Sequence, residues 1–487
     1  MKRTLLFIAF LFINVPAIAT TWNVGHSRTY KVPSQVMSLV SSGDTVLIDS
    51  GLYVKDVGVW RANHLVLRCP VGYAHLDAQG TAAARKGIWV IDGDSAYVEG
   101  IEFSGCAISE ADGDNGAGIR FESHMLTCRR CYFHDNQEGI LTGNDTTNEI
   151  TIEACEFDHN GVETGGAAGF EHNIYVGHSR SCTIKFCYFH RSIIGHEIKS
   201  RANRNYIMYN YIVDGPDGDG SYSIDLPNGG LANILGNIIE KGPKTENSTV
   251  VSYGEEGLIN DPGLMNSGHF FFFGSNTVVT DRTPTTFMHV ETGGLPWTVF
   301  VVNNIFAGGT HLGIDSSTWV QNNQIGGDTS YFHFRSPRLY DYHITAPFPG
   351  CDSLLGIGNN FDEPAYFWPE SEYVHPLDSL PVVDRPNYIG ALRPLFEATV
   401  NIGTKGTELR NYPNPFLRET SIALPEATGD LLELTVYNML GGVVYDAECL
   451  PNGRSLLFDR EVLATGIYHY VITSHDRIIG TGQMIAQ

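Results

Sequence analysis

The segment CYFHDNQEGILTGNDTTNEITIEACEFDHN, residues 131–160, contains one short block twice, Cys131 to Phe133 and Cys155 to Phe157. In each block a small residue stands two positions before a large apolar residue. Related blocks recur every 19 to 39 residues, at 101–103, 131–133, 155–157, 187–189, 210–212, 237–239, 276–278, 304–306 and 323–325. Repetition at this period predicts a solenoid, because one coil cannot bury its apolar residues until it stacks on its neighbours.

A second series of short segments, with alternating apolar residues, lies between these blocks. Its members are 119–121, 140–142, 173–176, 197–200, 223–226, 250–253 and 286–290. The 53 glycines and the abundant Phe and Tyr also favour short strands separated by turns. Two interleaved series at one period predict two parallel sheets. We therefore expect an all-β chain with a right-handed parallel β-helix over residues 20–395.

From the block at 131–133 onward, the first position of the blocks changes from cysteine to asparagine along the chain. Its occupants are Cys131, Cys155, Cys187, Asn210, Asn237, Asn276, Asn304 and Asn323. We expect the cysteines to be small buried residues and the asparagines to form a ladder, in which each amide bonds to backbone groups.

The two ends of the chain depart from the repeat. Residues 1–19 combine a charged start, an apolar run and Ala17-Ile-Ala19, the pattern of a secretory signal peptide. Residues 32–41 predict a short helix that caps the first coil. No later apolar run reaches the roughly 20 residues of a membrane helix, so no membrane span is expected. The polar residues 396–410 predict a linker to a different unit, residues 411–487.

The C-terminal unit contains four motifs in a characteristic order: Asn411 to Phe416, Leu434 to Gly442, Leu463 to Tyr468, and Gly482 to Met484. They resemble the motifs of the C-terminal sorting domain of the type IX secretion system. The resemblance implies a small β-sandwich without catalytic residues, recognition by the type IX secretion machinery, and a source of the Bacteroidetes type. It also implies export through the periplasm and outer membrane, with the protein secreted or held at the cell surface.

Charge is distributed unevenly along the sequence. The chain has 54 acidic and 31 basic residues and a formal net charge of −23, which argues against nucleic acid as a partner. Residues 172–204 are the exception, because they contain six Lys and Arg residues and a single carboxylate, Glu197. We interpret this segment as a surface for an anionic partner, an acidic polysaccharide.

The alternation of the second series predicts which side chains face outward. If the apolar residues point to the core, their neighbours form one patch across coils about 4.8 Å apart. The predicted patch consists of Asn173, Tyr175, Glu197, Lys199, Arg201, Ser223 and Asp225, with Arg120 below and the segment from Tyr253 to Glu256 above.

Such a patch suits β-elimination on a uronate polymer, which needs a cation for the sugar carboxylate, a base and an acid. We predict Lys199 as the base, Arg201 or a calcium ion as the cation, and Tyr175 or His172 as the acid. The residues predicted to bind substrate are Asn173, His196, Arg120, Asn228, Ser223 and Tyr253. Glu197 and Asp225 are candidate ligands of a calcium ion, the one cofactor that we expect.

Residues 196–237 carry a second resemblance, to polysaccharide lyase family 6, the alginate lyase and chondroitinase B group. The matching residues are Glu197, Ile198, Lys199, Ser200, Asn203, Asn210, Asn228, Gly229, Gly236 and Asn237. The resemblance implies that Lys199 is the base. Where the family has an arginine as the acid, this chain has Pro227, and Glu197 alone represents the family's calcium-binding glutamates.

Two other functions remain open. A glycoside hydrolase needs two carboxylates, for which Asp225 with Glu197 or Glu255 are the candidates. A non-catalytic glycan-binding or adhesive surface protein needs only the basic patch. A monomer is expected in each case.

Overall fold

The computed structural model describes residues 19–166, 168–245, 247–259, 268–291, 299–314, 319–355, 368–382, 386–395, 407–425, 431–438, 443–460, 463–474 and 477–486. Residues 1–18 of the predicted signal peptide and 396–406 of the predicted linker lie outside these ranges. The chain divides into two compact units, Met1–Phe396 and Glu397–Gln487.

The first unit is a parallel β-helix whose coils cross three sheets in the order A, B and C. Sheet A comprises the 12 strands Thr21–Val24, Thr45–Ile48, Leu65–Arg68, Ser95–Glu99, Met125–Arg129, Asp145–Glu153, Ser179–Lys185, Arg204–Met208, Leu231–Leu235, Phe270–Gly274, Val299–Val302 and Trp319–Gln321. Sheet B comprises the 11 strands Gly51–Val54, Ala74–Asp77, Ile101–Ser104, Tyr132–His134, Glu156–Asp158, Tyr188–His190, Tyr211–Val213, Ile238–Lys241, Thr277–Thr280, Ile305–Ala307 and Gln324–Gly326. Sheet C comprises the 9 strands Gly58–Trp60, Gly87–Ile91, Ala117–Phe121, Glu138–Thr142, Ile174–Val176, Ile198–Ser200, Ile224–Leu226, Thr249–Tyr253 and Thr286–Val290.

The β-helix confirms the predicted fold class, but the prediction of two sheets is wrong. The two series of the sequence form sheets B and C in the expected register. Sheet A escaped the prediction because most of its strands run almost directly into sheet B. Between Asp145–Glu153 and Glu156–Asp158, for example, the corner depends on Ala154, at a positive φ of 50°. A corner made by one residue without glycine or proline gives no turn signal in the sequence.

The ladder predicted from the blocks stands immediately after this corner. The backbone N–H of Asn210 donates to Asn237 Oδ1 at 2.9 Å, and the N–H of Asn237 donates to Asn276 Oδ1 at 2.9 Å. Asn304 and Asn323 continue the series, whereas Cys131, Cys155 and Cys187 precede it as free, buried cysteines. Each asparagine Nδ2 also donates to a main-chain carbonyl, so the buried amides are satisfied along the ladder.

The core inside the three sheets is apolar and stacked from coil to coil. The rings of Phe103, Phe133, Phe157 and Phe189 lie parallel, with centroids 5.0, 4.8 and 4.6 Å apart. At the N-terminal end, the predicted helix over 32–41 is limited to the 3-10 helix Pro33–Gln35, after which Val36 is buried in the core. The other 3-10 helices among the described residues are Glu110–Asp112, Thr329–Phe332 and Pro337–Leu339.

The last part of the first unit packs on the outside of sheet B. It contains two antiparallel hairpins, Phe334–Ser336 with Asp341–Ile344 and Ser371–Val374 with Asp378–Pro381. Tyr211 of sheet B stacks on Tyr373, and its hydroxyl donates to the carbonyl of Tyr340 at 2.7 Å. This segment therefore covers the outer face of the later strands of sheet B.

The second unit is a separate, mostly antiparallel β domain with its own apolar core. One sheet contains, in spatial order, Thr407–Glu408, Arg477–Ala486, Gly466–Ser474, Leu432–Asn438 and Val443–Cys449. The other contains Asn411–Tyr412, Glu419–Ala423 and Ser455–Asp459. Among the residues described, no helix is long and apolar enough to cross a membrane.

We expect Asn237→Ala to lower the free energy of unfolding of the first unit by about 1–3 kcal/mol, because it leaves buried donors of Asn210 without an acceptor. Urea denaturation followed by tryptophan fluorescence measures the change. Asn23→Ala, at an exposed position, is the control and should stay within about 0.5 kcal/mol of the wild type. Equal stability of the two variants would contradict a structural role for the ladder.

Candidate functional site

A column of side chains crosses the outer face of sheet C. Arg120, Leu141, Tyr175, Lys199 and Asp225 pair in register along successive strands. Each follows an apolar residue that points to the core, so the pleat turns it outward. The structure thus places four residues of the predicted patch, Arg120, Tyr175, Lys199 and Asp225, in one line.

A second column stands at the corner just before these strands. Glu138, His172, His196 and Tyr222 each lie two residues before an aligned core isoleucine. The backbone N–H of each coil donates to the side chain of the preceding coil: His172 N to Glu138 Oε2 at 3.1 Å, His196 N to His172 Nδ1 at 2.9 Å, and Tyr222 N to His196 Nδ1 at 3.2 Å. These bonds fix the side chains relative to the sheet.

The bonds also determine the tautomers of the two histidines. Because Nδ1 accepts in each ring, the proton of a neutral ring is on Nε2. The rings of His172 and His196 stack 4.5 Å apart, and burial, helped by neighbouring positive charges, holds the pKa of both well below the usual value. His172 Nε2 is buried without a hydrogen-bond partner, so the ring offers an unused N–H donor.

The two columns border a cleft of about 720 Å³. Its lining consists of Gly113, Asn115, Arg120, Glu138, Leu141, Thr142, Gly143, Asn144, Gly166, Phe170, Glu171, His172, Tyr175, Gly177, Lys199, Arg201 and Glu256. Five residues predicted for the site, Arg120, His172, Tyr175, Lys199 and Arg201, therefore share one cavity. Three of them are cations.

The two central cations share one carboxylate, that of Glu256. Lys199 Nζ lies 3.5 Å from Glu256 Oε1 and 3.7 Å from Asp225 Oδ2. Arg201 Nη2 lies 2.7 Å from Glu256 Oε2, and Arg201 Nε donates to the Tyr175 hydroxyl at 2.8 Å. Residues 172–204 contain six Lys and Arg residues and one carboxylate, so the sequence predicted cations without partners. This prediction is wrong at Lys199, because Asp225 and Glu256, which lie outside the segment, supply two carboxylates.

Carboxyl groups in and beside the cleft are strongly affected by burial. Burial raises the pKa of Glu171 to about 7 and that of Asp225 to about 6, although Lys199 opposes the shift at Asp225. Burial also raises the pKa of Glu138, and nearby Glu171 adds to the effect. For Glu256, burial is opposed by the hydrogen bond and charge of Arg201, and the net effect lowers its pKa. The cleft thus contains protonated and ionised carboxyl groups near neutral pH.

The outward positions predicted for Asn173 and Glu197 are wrong. Both residues precede the first strand residue, Ile174 or Ile198, and lie at the corner, where the alternation of the strand does not apply. Asn173 is fully buried; its Oδ1 accepts from Asn160 Nδ2 at 2.7 Å, and its Nδ2 donates to Glu197. Glu197 is 1% exposed, and burial together with Asp214 raises its pKa.

This burial separates Glu197 from the predicted calcium site. Glu197 Oε1 accepts from the backbone N–H of Ser192 at 3.0 Å, so both of its oxygens are used inside the corner. Within the described ranges, the group of three or more His, Cys, Asp or Glu with ligand atoms close enough for one ion is His75, Glu102 and His134, on sheet B. Glu197 and Asp225 do not belong to such a group.

The other predicted substrate-binding residues lie outside the cleft lining. Ser223 and Tyr253 are each 1% exposed, and the Tyr253 hydroxyl donates to the carbonyl of Gly230, so a direct contact with substrate is excluded for both. Asn228 Oδ1 accepts from Arg201 Nη1 at 2.5 Å and positions the guanidinium. His196 stacks on His172 from the next coil and lies 3.5 Å from Asp225.

Sequence reasoning missed Glu138, Glu171 and the role of Glu256. Glu138 occupies the same coil position as His172 and His196, and aligning the second series two residues further upstream would have revealed it. Glu171 and Glu256 lie on connections between strands, where the repeat carries no positional information.

Comparison with known proteins identifies the C-terminal unit. Residues 410–486 match the family described as the secretion system C-terminal sorting domain, in agreement with the predicted sorting domain. This domain marks proteins that the type IX secretion system exports to the cell surface or the extracellular space. No curated protein matches the chain.

We expect Glu171→Gln to stabilise the protein increasingly as pH rises. The pKa of Glu171 is about 7 in the folded state against an ordinary value of 4.5, so the folded state binds more protons between these values and stability falls as pH rises through them. Glutamine does not titrate, so the variant does not lose this stability. Its free energy of unfolding should exceed that of the wild type by up to roughly 3 kcal/mol at pH 8 and differ little at pH 4. Urea denaturation at both pH values measures it.

The exposed Glu163 provides the matched control, and Glu163→Gln should not alter the pH dependence. A Glu171→Gln protein whose stability follows that of the wild type at both pH values would contradict the buried, protonated state of Glu171.

Proposed function

We propose that the cleft on sheet C binds an acidic, uronate-containing polysaccharide and cleaves it by β-elimination. The observation that carries this proposal is the carboxylate of Glu256, which bridges Lys199 and Arg201 at the edge of the cleft. The side chain of Glu256 is 47% exposed, so water reaches it and a competing anion has access to the same two cations. A uronate carboxylate has the charge and shape to replace it.

The groups around this position suit the steps of an elimination. Arg201 and Arg120 neutralise the sugar carboxylate, which makes the adjacent carbon acid easier to deprotonate. The resemblance to polysaccharide lyase family 6 implies that Lys199 is the base, a role in which it loses its own proton before it accepts the one from the sugar, while Arg201 holds the sugar carboxylate. Tyr175 accepts a hydrogen bond from Arg201 Nε, which leaves its own O–H proton available for the leaving oxygen. His172 lines the cleft, but its Nε2 is buried, so Tyr175 is the better placed of the two predicted acids.

Two carboxyl groups support hydrolysis as the second candidate. Glu138 and Glu171 line the same cleft, and the raised pKa of Glu171, about 7, is the property of a general acid in glycoside hydrolases. This pair replaces the pairs predicted from the sequence, because Glu197 is buried in the corner and Glu255 is bound by the Tyr222 hydroxyl.

We expect the exported protein to generate unsaturated uronate from at least one of alginate, pectate, chondroitin or a heparin-like polymer, measured by ultraviolet absorbance. Lys199→Ala and Tyr175→Phe should each reduce the rate about 100-fold or more, because each removes a proton-transfer group. Lys244→Ala, which removes an exposed lysine paired with Asp217, should retain the wild-type rate. New reducing ends without absorbance would contradict elimination and favour hydrolysis, and binding without turnover would favour a glycan-binding protein.

We expect Glu256→Gln to lower the KM for the active polymer by up to about 5-fold, because it removes the carboxylate that competes for Lys199 and Arg201. Glu255→Gln is the control, since Glu255 contacts Tyr222 and Ser252. Initial rates over a range of polymer concentrations measure both variants. A higher KM for Glu256→Gln would mean that Glu256 positions the cations and does not stand in for the substrate.

A further inference from the structure

We propose that His75, Glu102 and His134 on the outer face of sheet B form a binding site for Zn²⁺. The site is independent of the cleft on sheet C and of the reaction proposed there. The three residues come from successive strands, Ala74–Asp77, Ile101–Ser104 and Tyr132–His134. Stacking of three coils therefore assembles the site from residues that are far apart in the sequence.

The distances between the potential ligand atoms fit one tetrahedral ion. Glu102 Oε1 lies 3.4 Å from His75 Nδ1 and 3.1 Å from His134 Nε2, and the three ligand atoms lie within 4.8 Å of one another. Zinc bonds of about 2.0–2.2 Å at tetrahedral angles place neighbouring ligand atoms about 3.3–3.5 Å apart. A small movement of the side chains is enough to close around the ion.

The remaining nitrogens of both histidines are already held by oxygen atoms. His75 Nε2 lies 2.7 Å from Ser104 Oγ, and His134 Nδ1 lies 2.7 Å from Asp135 Oδ2. Histidines that bind metal commonly donate their other N–H to a hydroxyl, carbonyl or carboxylate, which orients the ring and directs the lone pair at the metal. Both rings have such a partner here. In each ring the other nitrogen, His75 Nδ1 or His134 Nε2, faces Glu102 and is free to bind the metal.

The surroundings allow an ion to enter and favour zinc over calcium. The side chains of His75, Glu102 and His134 are 28%, 21% and 17% exposed, and the C-terminal segment of the first unit covers sheet B from Tyr188 onward, beyond this part. Two imidazoles and one carboxylate suit Zn²⁺, whereas Ca²⁺ takes six or more oxygen ligands. Three protein ligands leave the fourth position to water or to a donor atom of another molecule.

Titration of the chelator-treated, full-length folded protein with Zn²⁺ alone tests this site, with the bound metal counted by elemental analysis. One ion per chain is expected, and His75→Ala and His134→Ala should each weaken its binding about 100-fold or more. Glu102→Gln preserves the shape of the side chain and should also weaken binding. His190→Ala removes a histidine of the same sheet that contacts two carboxylates but no second histidine ligand, and should bind zinc like the wild type.

Two further measurements distinguish a built site from a chance contact. Ser104→Ala and Asp135→Asn should weaken zinc binding about 10- to 100-fold, because they release the ring nitrogens. Cobalt(II) in place of zinc should give the visible spectrum of a four-coordinate ion in the wild type and not in His75→Ala. Equal zinc binding by the wild type, His75→Ala and Glu102→Gln, or no binding by the folded wild type, would overturn the proposal.

Discussion

The coils from Cys131 to Asn304 depend on a buried backbone N–H that lies just after the corner between sheets A and B. The corner residue has a positive φ even where it is not glycine, as at Ala154, Phe186 and Tyr209, and such a residue costs about 1 kcal/mol or more. A side chain of the adjacent coil supplies the acceptor, first a cysteine sulfur and then an asparagine oxygen. None of these coils supplies the acceptor for its own corner N–H. Each corner is therefore stable only in the stack, and the coils depend on one another to fold.

Hydrogen bonds from the backbone of one coil to side chains of an adjacent coil also position residues of the cleft. At the corner before sheet C, Glu138, His172 and His196 each accept a backbone N–H from the next coil, so their orientation is set by the fold before any ligand binds. The charged column beside them is held differently, by ion pairs among Lys199, Arg201, Asp225 and Glu256. Hydrogen bonds from the backbone fix one wall of the cleft, while the other wall consists of charges that an anionic ligand is able to rearrange.

Predictions from the sequence succeeded where the period of the chain carries the information. The stacked blocks gave the register of sheet B and the asparagine ladder, and the alternation around Ile174, Ile198 and Ile224 gave the outward positions of Tyr175, Lys199 and Asp225. Alternation failed one residue before the strand, at Asn173 and Glu197, because the chain turns there. The ion pairs could not be predicted from the sequence either. Glu256 is 55 residues from Arg201 in the chain, and only the stacking of the coils brings the two side chains together.

Irregularities of the repeat locate the cleft better than its regular positions do. Coils of a parallel β-helix share one cross-section, so extra residues cannot enter the sheets and must project from a corner. Two of the longest steps, from the block at 155 to that at 187 and from 237 to 276, contain the connections that carry Glu171 and Glu256, respectively. Both connections reach the same face, because Glu171 lies just before the strand Ile174–Val176 and Glu256 lies just after the strand Thr249–Tyr253, and both strands belong to sheet C. The long steps therefore identify the face on which this β-helix departs from pure stacking.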